Sequence, residues 1–167
     1  MDMKKTILAG AISALAMAPG LVLAATSAGN GSVGGLAQIT STDDTDSYTV
    51  VGNGSYFITD ALETGIGVSW IETDSGNAND SQFILISPFI QYNFLTDSNV
   101  VPFIGAGYDF SGAGDNDATD FYSVYGGARF FFGENAAVRA ELRYRDEVDD
   151  EGIEDTTIFQ VGFDLFF

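Results

Sequence analysis

The sequence has 167 residues, with 6 basic against 24 acidic side chains, no cysteine and no histidine. Its length suits one domain; the missing thiols exclude a disulfide framework, and the missing imidazole removes the commonest general base and metal ligand. A net charge of −18 argues against nucleic acid as a partner, yet 13% aromatic residues and 20 glycines do not fit a solvated polyanion.

The chain opens on a basic stretch, Lys4 and Lys5, followed by the apolar run TILAGAISALAMAPGLVLA. Small residues then suit cleavage after Ala24, with Val22 and Ala24 in the specificity positions. The alternative is an uncleaved anchor, against which Pro19 and Gly20 interrupt the run. Residues 1–24 are therefore read as a secretory signal and residues 25–167 as the exported domain. Export leaves 143 residues, whose only cations are Arg129, Arg139, Arg143 and Arg145 against 23 acids.

Beyond the leader, period-two alternation recurs and no helix-period stretch appears. Eight strands are predicted, over residues 31–42, 47–58, 62–73, 82–95, 99–111, 120–132, 136–148 and 156–167. The first, GSVGGLAQITST, has an ambiguous inward face. In the fourth, Ile86, Pro88, Ile90, Tyr92 and Phe94 share one side. The seventh sets Ala136, Val138, Ala140, Leu142 and Tyr144 against Arg139, Glu141, Arg143, Arg145 and Glu147. In the eighth, Phe159, Val161, Phe163, Leu165 and Phe167 face one way, and Gln160, Gly162, Asp164 and Phe166 the other.

Such faces suit a soluble sandwich or lipocalin-like barrel with its apolar side inward, or a transmembrane barrel with that side turned to lipid. The connections decide between them. Short corners at residues 59–61, 96–98 and 133–135 alternate with longer acidic ones at 43–46, 74–80, 112–119 and 149–155. Short turns on one rim and longer loops on the other belong to the membrane form. Tyr56, Phe57, Tyr92, Phe94, Phe130 and Phe132 recur beside the short corners, as an interfacial girdle requires. The predicted fold is an all-β, eight-stranded, antiparallel up-and-down transmembrane barrel with both mature termini in the periplasm.

The segments SYFITDALETGIGVSW, ISPFIQYNF, VVPFIGAGYDF, YGGARFFFG, VRAELRYR and FQVGFDLFF, in that order, resemble the small outer-membrane β-barrels of Gram-negative bacteria. The likeness is to the OmpA transmembrane domain and OmpX, and it covers the whole mature chain. It implies that Phe159, Val161, Phe163, Leu165 and Phe167 form an assembly signal read by the barrel-assembly machinery. It also implies a monomer set in outer-membrane lipid and lipopolysaccharide. The sequence ends at Phe167, so the peptidoglycan tether of OmpA is not carried over, and the short loops do not match the adhesive members.

Enzymes of this architecture generally rely on histidine, and none exists here. A glycosidase-like acid pair is opposed by the arginines beside the inward acids, which favour ionised carboxylates. The glycine-rich GAGYDFSGAG opens no helix, so a phosphate loop is not expected, and its glycines are read as letting the wall curve. The stretches DNDATD (115–120) and DEVDDEGIED (146–155) offer hard oxygen ligands for Ca²⁺ or Mg²⁺ but match no EF-hand spacing. They are read as a solvated rim that could bridge to lipopolysaccharide phosphates through divalent ions. No catalytic residue, metal site or cofactor is expected.

All four mature cations fall on inward faces. Pairing about the 133–135 corner sets Arg129 opposite Arg139, an unfavourable pair that needs carboxylates between. Asp164, Glu141, Glu63 and Asp109 are the candidates. With Phe89, Phe103, Phe121 and Tyr125, this ionic cluster of Arg129, Arg139, Arg143 and Arg145 should plug the lumen. The role expected is structural, in envelope integrity, with a narrow porin-like channel or a surface binding module as alternatives. Loss of Arg139 is expected to cost about 3–5 kcal/mol if the site is dry.

Overall fold

Runs of alternating apolar and polar residues, rich in β-branched and aromatic side chains, favour strands whose two faces differ. In a computed structural model, which describes residues 26–42, 45–75, 81–111, 120–148 and 156–167, eight such strands form. They are β1 (Gly31–Thr42), β2 (Thr45–Phe57), β3 (Leu62–Ser75), β4 (Ser81–Asn93), β5 (Val100–Ser111), β6 (Phe121–Gly133), β7 (Ala136–Glu147) and β8 (Thr156–Phe166). Each lies within two residues of its predicted span. Residues 1–25 and most residues of the acidic connections lie outside the described residues.

Every strand pairs antiparallel with its sequence neighbour, and β1 pairs with β8, so the sheet closes and leaves no edge. Closure lets every strand satisfy its backbone groups within the sheet, which a lipid environment demands. The ladders are uneven. The β4–β5 ladder skips Ser87 and Pro88, where the proline has no N–H to give. The β1–β8 seam pairs six residues against twelve for β1–β2, and Gly31 and Phe167 extend it with reciprocal backbone hydrogen bonds of 2.9 and 3.0 Å.

The two faces are inverted relative to a soluble protein. Along β3, Ile66, Val68 and Trp70 are exposed on the outside while Glu63 and Ser69 are buried within. Ile86, Ile90, Tyr92 and Phe94 are exposed in the same way, as are Phe159, Phe163, Leu165 and Phe167. A continuous apolar belt around a charged interior is stable only against lipid. The ambiguity of β1 is resolved by its neighbours: Leu36 turns inward opposite Val51, and Val33 turns outward. Spin labels at the adjacent Val68 and Ser69 measure this inversion. A lipid-soluble quencher should reach position 68 far more readily; equal quenching at the two positions would contradict the arrangement.

At the short-turn rim the outward rings are Tyr56, Tyr92, Phe94, Phe130 and Phe132. Phe57, expected among them, instead points inward and is fully buried. Adjacent strand residues must face opposite ways, so the outward Tyr56 forces Phe57 into the lumen. There it packs with Val101, Phe131, Ala137 and Phe166; its ring centroid is 6.1 Å from that of Phe166, which lies 5.0 Å from that of Phe131. The chain before β1 crosses this end, held by hydrogen bonds from Gly29 N to Phe57 O (2.9 Å), Ala28 N to Asp60 Oδ1 (2.8 Å) and Thr26 Oγ1 to Thr96 O (3.3 Å).

Candidate functional site in the lumen

Eight strands enclose room for little beyond their own side chains. Above the apolar floor of Phe57, Val101, Phe131, Ala137 and Phe166 sits Arg129 of β6, with no exposed surface. Its guanidinium makes a two-pronged bond to Glu63 of β3, Nη1 to Oε2 at 2.7 Å and Nη2 to Oε1 at 2.9 Å. It also donates from Nε to Asp164 Oδ2 of β8 at 2.7 Å and from Nη1 to Asn93 Oδ1 of β4 at 3.0 Å. Glu63 accepts further hydrogen bonds from Ser55 (2.5 Å), Gln91 (3.0 Å) and Asn93 (3.1 Å). One cation thus ties β3, β4, β6 and β8 across the barrel. A two-pronged arginine–carboxylate pair fixes geometry as well as charge.

The register sets Arg129 directly opposite Arg139. The two side chains diverge. Arg139 of β7 turns to Glu141 on its own strand, Nε to Oε2 at 3.0 Å and Nη2 to Oε2 at 2.5 Å, and to Gln91 Oε1 at 3.2 Å. Phe103 stands beside both cations, its ring centroid 5.5 Å from the Arg129 guanidinium carbon and 4.7 Å from that of Arg139. An aromatic face attracts both charges and relieves their juxtaposition. Asp164, expected near Arg139, accepts its hydrogen bond from Arg129 Nε. Arg143 joins Glu141 Oε1 at 2.9 Å and lies over the Tyr125 ring at 4.4 Å. Arg145 pairs separately with Asp109, Nε to Oδ2 at 2.9 Å, beside Phe121.

All eight predicted lumen residues therefore point inward, six of them within two neighbouring groups: Arg129 with Glu63 and Asp164, and Arg139 and Arg143 with Glu141, while Arg145 with Asp109 lies towards the long-connection rim. Gln91 and Asn93 join the first two groups into one network and were missed. Their signal was present: both alternate with the outward Ile90, Tyr92 and Phe94 in IQYNF. The predicted assembly residues Phe159, Val161, Phe163, Leu165 and Phe167 lie on the outer face, away from this network. Among the described residues, no group of three His, Cys, Asp or Glu side chains is placed to hold a metal ion.

The aromatics that fill the lumen are accommodated by glycine. Phe89, Phe103 and Tyr125 each lie across the residue paired with them on the neighbouring strand, Gly65, Gly127 and Gly105 respectively. A Cβ on those glycines would come within 2.6, 2.8 and 2.3 Å of the rings. The inward glycines of this wall thus make room for rings, beyond any effect on curvature. Gly105→Ala should displace Tyr125 and cost about 1–3 kcal/mol. Urea unfolding in lipid vesicles measures it, and Gly105→Ala combined with Tyr125→Ala should add little to the cost of Tyr125→Ala alone.

An eight-stranded closed sheet, apolar outside and ionic inside, defines an outer-membrane β-barrel. The chain belongs to the outer membrane protein beta-barrel domain family, whose model matches residues 6–167. No curated protein matches it. Among solved structures, it is similar to the N-terminal β-barrel domain of Pseudomonas aeruginosa OprF, with a TM-score of 0.61 and 16% identity over 84% of this chain and 98% of that one. The outer membrane protein OprG from Pseudomonas aeruginosa matches with a TM-score of 0.59 and 13% identity, over 84% and 97% of the two chains. A de novo designed transmembrane β-barrel matches at 0.51 and 17%, with the same 84% and 97% coverage. At these identities the likeness is one of fold.

Proposed function

We propose that this outer-membrane barrel is a structural element of the envelope whose lumen is plugged by its own side chains. The observation that carries the reading is the complete burial of Arg129 with Glu63, directly above a buried apolar floor. An ion crossing this section would have to part a charge-assisted, two-pronged pair in a dry site, which is costly. Among the described residues, each of the four buried lumenal carboxylates stands against an arginine, which supports a structural rather than a catalytic use. Planar-bilayer recording from the refolded protein is the test. It should give no sustained conductance steps, whereas stable open currents from the unmodified chain would move the function to transport.

The second reading is a narrow channel for small solutes, favoured by a cavity of about 230 Å³ in the long-connection half of the lumen. A third, cation-mediated binding to lipopolysaccharide or a surface partner, rests on the acidic stretches 115–120 and 146–155, which lie largely outside the described residues. The remainder of the proposal is export by cleavage of residues 1–24, insertion of residues 25–167 by the barrel-assembly machinery, and life as a monomer in a Gram-negative outer membrane. Periplasmic termini are supported by the meeting of Gly31 and Phe167 at the short-turn rim.

A further inference from the structure

The upper half of the lumen differs chemically from the lower. Below, Arg129 faces two carboxylates, Glu63 and Asp164. Above, Arg143 pairs with Glu141 and Arg145 with Asp109, while Arg139, level with Arg129, also reaches up to Glu141. The cavity of about 230 Å³ lies in the upper half, and the charged side chains on its wall are those three arginines. Arg143 engages its neighbours through Nε and Nη1, and Arg145 engages Asp109 through Nε. Their remaining Nη groups make no hydrogen bond among the described residues.

Two further groups on the same wall are unsatisfied. The Tyr125 hydroxyl makes no hydrogen bond among the described residues, although Tyr125 is only 6% exposed. The side-chain amide of Asn53 is buried with neither its nitrogen nor its oxygen paired among the described residues. Leaving such groups unpaired costs about 1–3 kcal/mol each. The rest of the wall is apolar over most of its area, through residues such as Leu36, Val51 and Ile158, with Gln38, Ser69 and Gln160 adding polar groups. Low-polarity walls strengthen the pull of the arginines on an anion.

We propose that this cavity is a binding site for a small organic monocarboxylate, its carboxylate held by Arg143 and its neighbours and its apolar body lying against Leu36 and Ile158. The volume equals that of about seven or eight waters at ~30 Å³ each, which limits the ligand to roughly eight non-hydrogen atoms. Only the dead-end character of the site rests on the plugged reading of the lumen. Binding does not.

The test uses the barrel in lipid nanodiscs at about 0.15 M salt, where the field of the acid-rich connections is screened within about 8 Å. Hexanoate is titrated while the amide and arginine Nε–H resonances are followed by NMR, with hexanol, hexylammonium and chloride as matched probes. Hexanoate should give saturable shifts at Asn53, Tyr125, Arg139, Arg143 and Arg145, at concentrations at least tenfold below any response to hexanol. Arg143→Gln should weaken binding about tenfold. Leu36→Trp, which fills the cavity and leaves every charge in place, should abolish it. Equal responses to hexanoate and hexanol or hexylammonium, the same shifts from chloride alone, or hexanoate binding unaltered in Leu36→Trp would each overturn the site. Steady ion conductance would end the plugged reading and leave these shifts intact, so the two fail separately.

Discussion

Arg129→Met should destabilise the barrel by about 3–5 kcal/mol, more than any other single substitution in the lumen. The reason is what remains. Glu63 and Asp164 are both buried and both take their arginine contact from this one side chain. Removing it leaves two buried carboxylates without their direct ion pair, in a region closed by Phe57, Phe131 and Phe166. Arg139 is different, because Glu141 keeps its bond to Arg143 at 2.9 Å when Arg139 is lost. Its removal should cost less, about 1–3 kcal/mol, so the sequence-based expectation of the larger loss moves from Arg139 to Arg129. Arg143, partly exposed at the cavity wall, should matter least. Neutralising the acids as well, with Glu63→Gln and Asp164→Asn, should recover much of the Arg129→Met loss, since a buried ionic group is often replaceable as a unit. Equilibrium urea unfolding in vesicles ranks the variants. A cost for Arg129→Met no greater than that for Arg143→Gln would mean that water reaches the network.

The fold was legible because period-two alternation and the aromatic corners report local geometry, which neighbouring residues impose on one another. Where both faces of a segment are small or polar, as in GSVGGLAQITST, that signal fails, and Leu36 is placed inward only by its pairing with β2. Aromatic character alone does not fix a face, and adjacency to the outward Tyr56 is what turns Phe57 inward. For the lumen, the face of each charge could be read and its partner could not. Glu63 on β3 and Arg129 on β6 lie 66 residues apart and meet across the interior only once the sheet closes. The divergence of Arg129 and Arg139 around Phe103 depends likewise on a ring lodged over Gly127. Strand spacing alone contains neither relation. The same closure turns Phe57 and Phe166 from strand-end aromatics into a floor.

Phe167→Ala should lower the amount of heat-modifiable, membrane-inserted protein in cells severalfold while leaving refolding into lipid vesicles close to normal. The two outcomes separate because Phe167 has two contacts of different kinds. Its backbone exchanges hydrogen bonds with Gly31 at 2.9 and 3.0 Å and lengthens the short β1–β8 seam. Its ring lies against Gly31 on the outer surface and is 72% exposed, continuing the row of Phe159, Phe163 and Leu165. Alanine keeps the backbone bonds and removes the ring. If the row is an assembly signal, the variant loses recognition in the cell but retains the closure that spontaneous refolding needs. Deleting Phe167 removes both, so the deletion should fail in cells and also refold more slowly in vitro. Asp117→Ala, in an acidic connection, should do neither. Unchanged insertion of Phe167→Ala in cells would remove the signal reading, and equal losses in cells and in vesicles would assign the residue to the seam alone. In either case the closing contact with Gly31 would remain the reason that this position bears on the barrel.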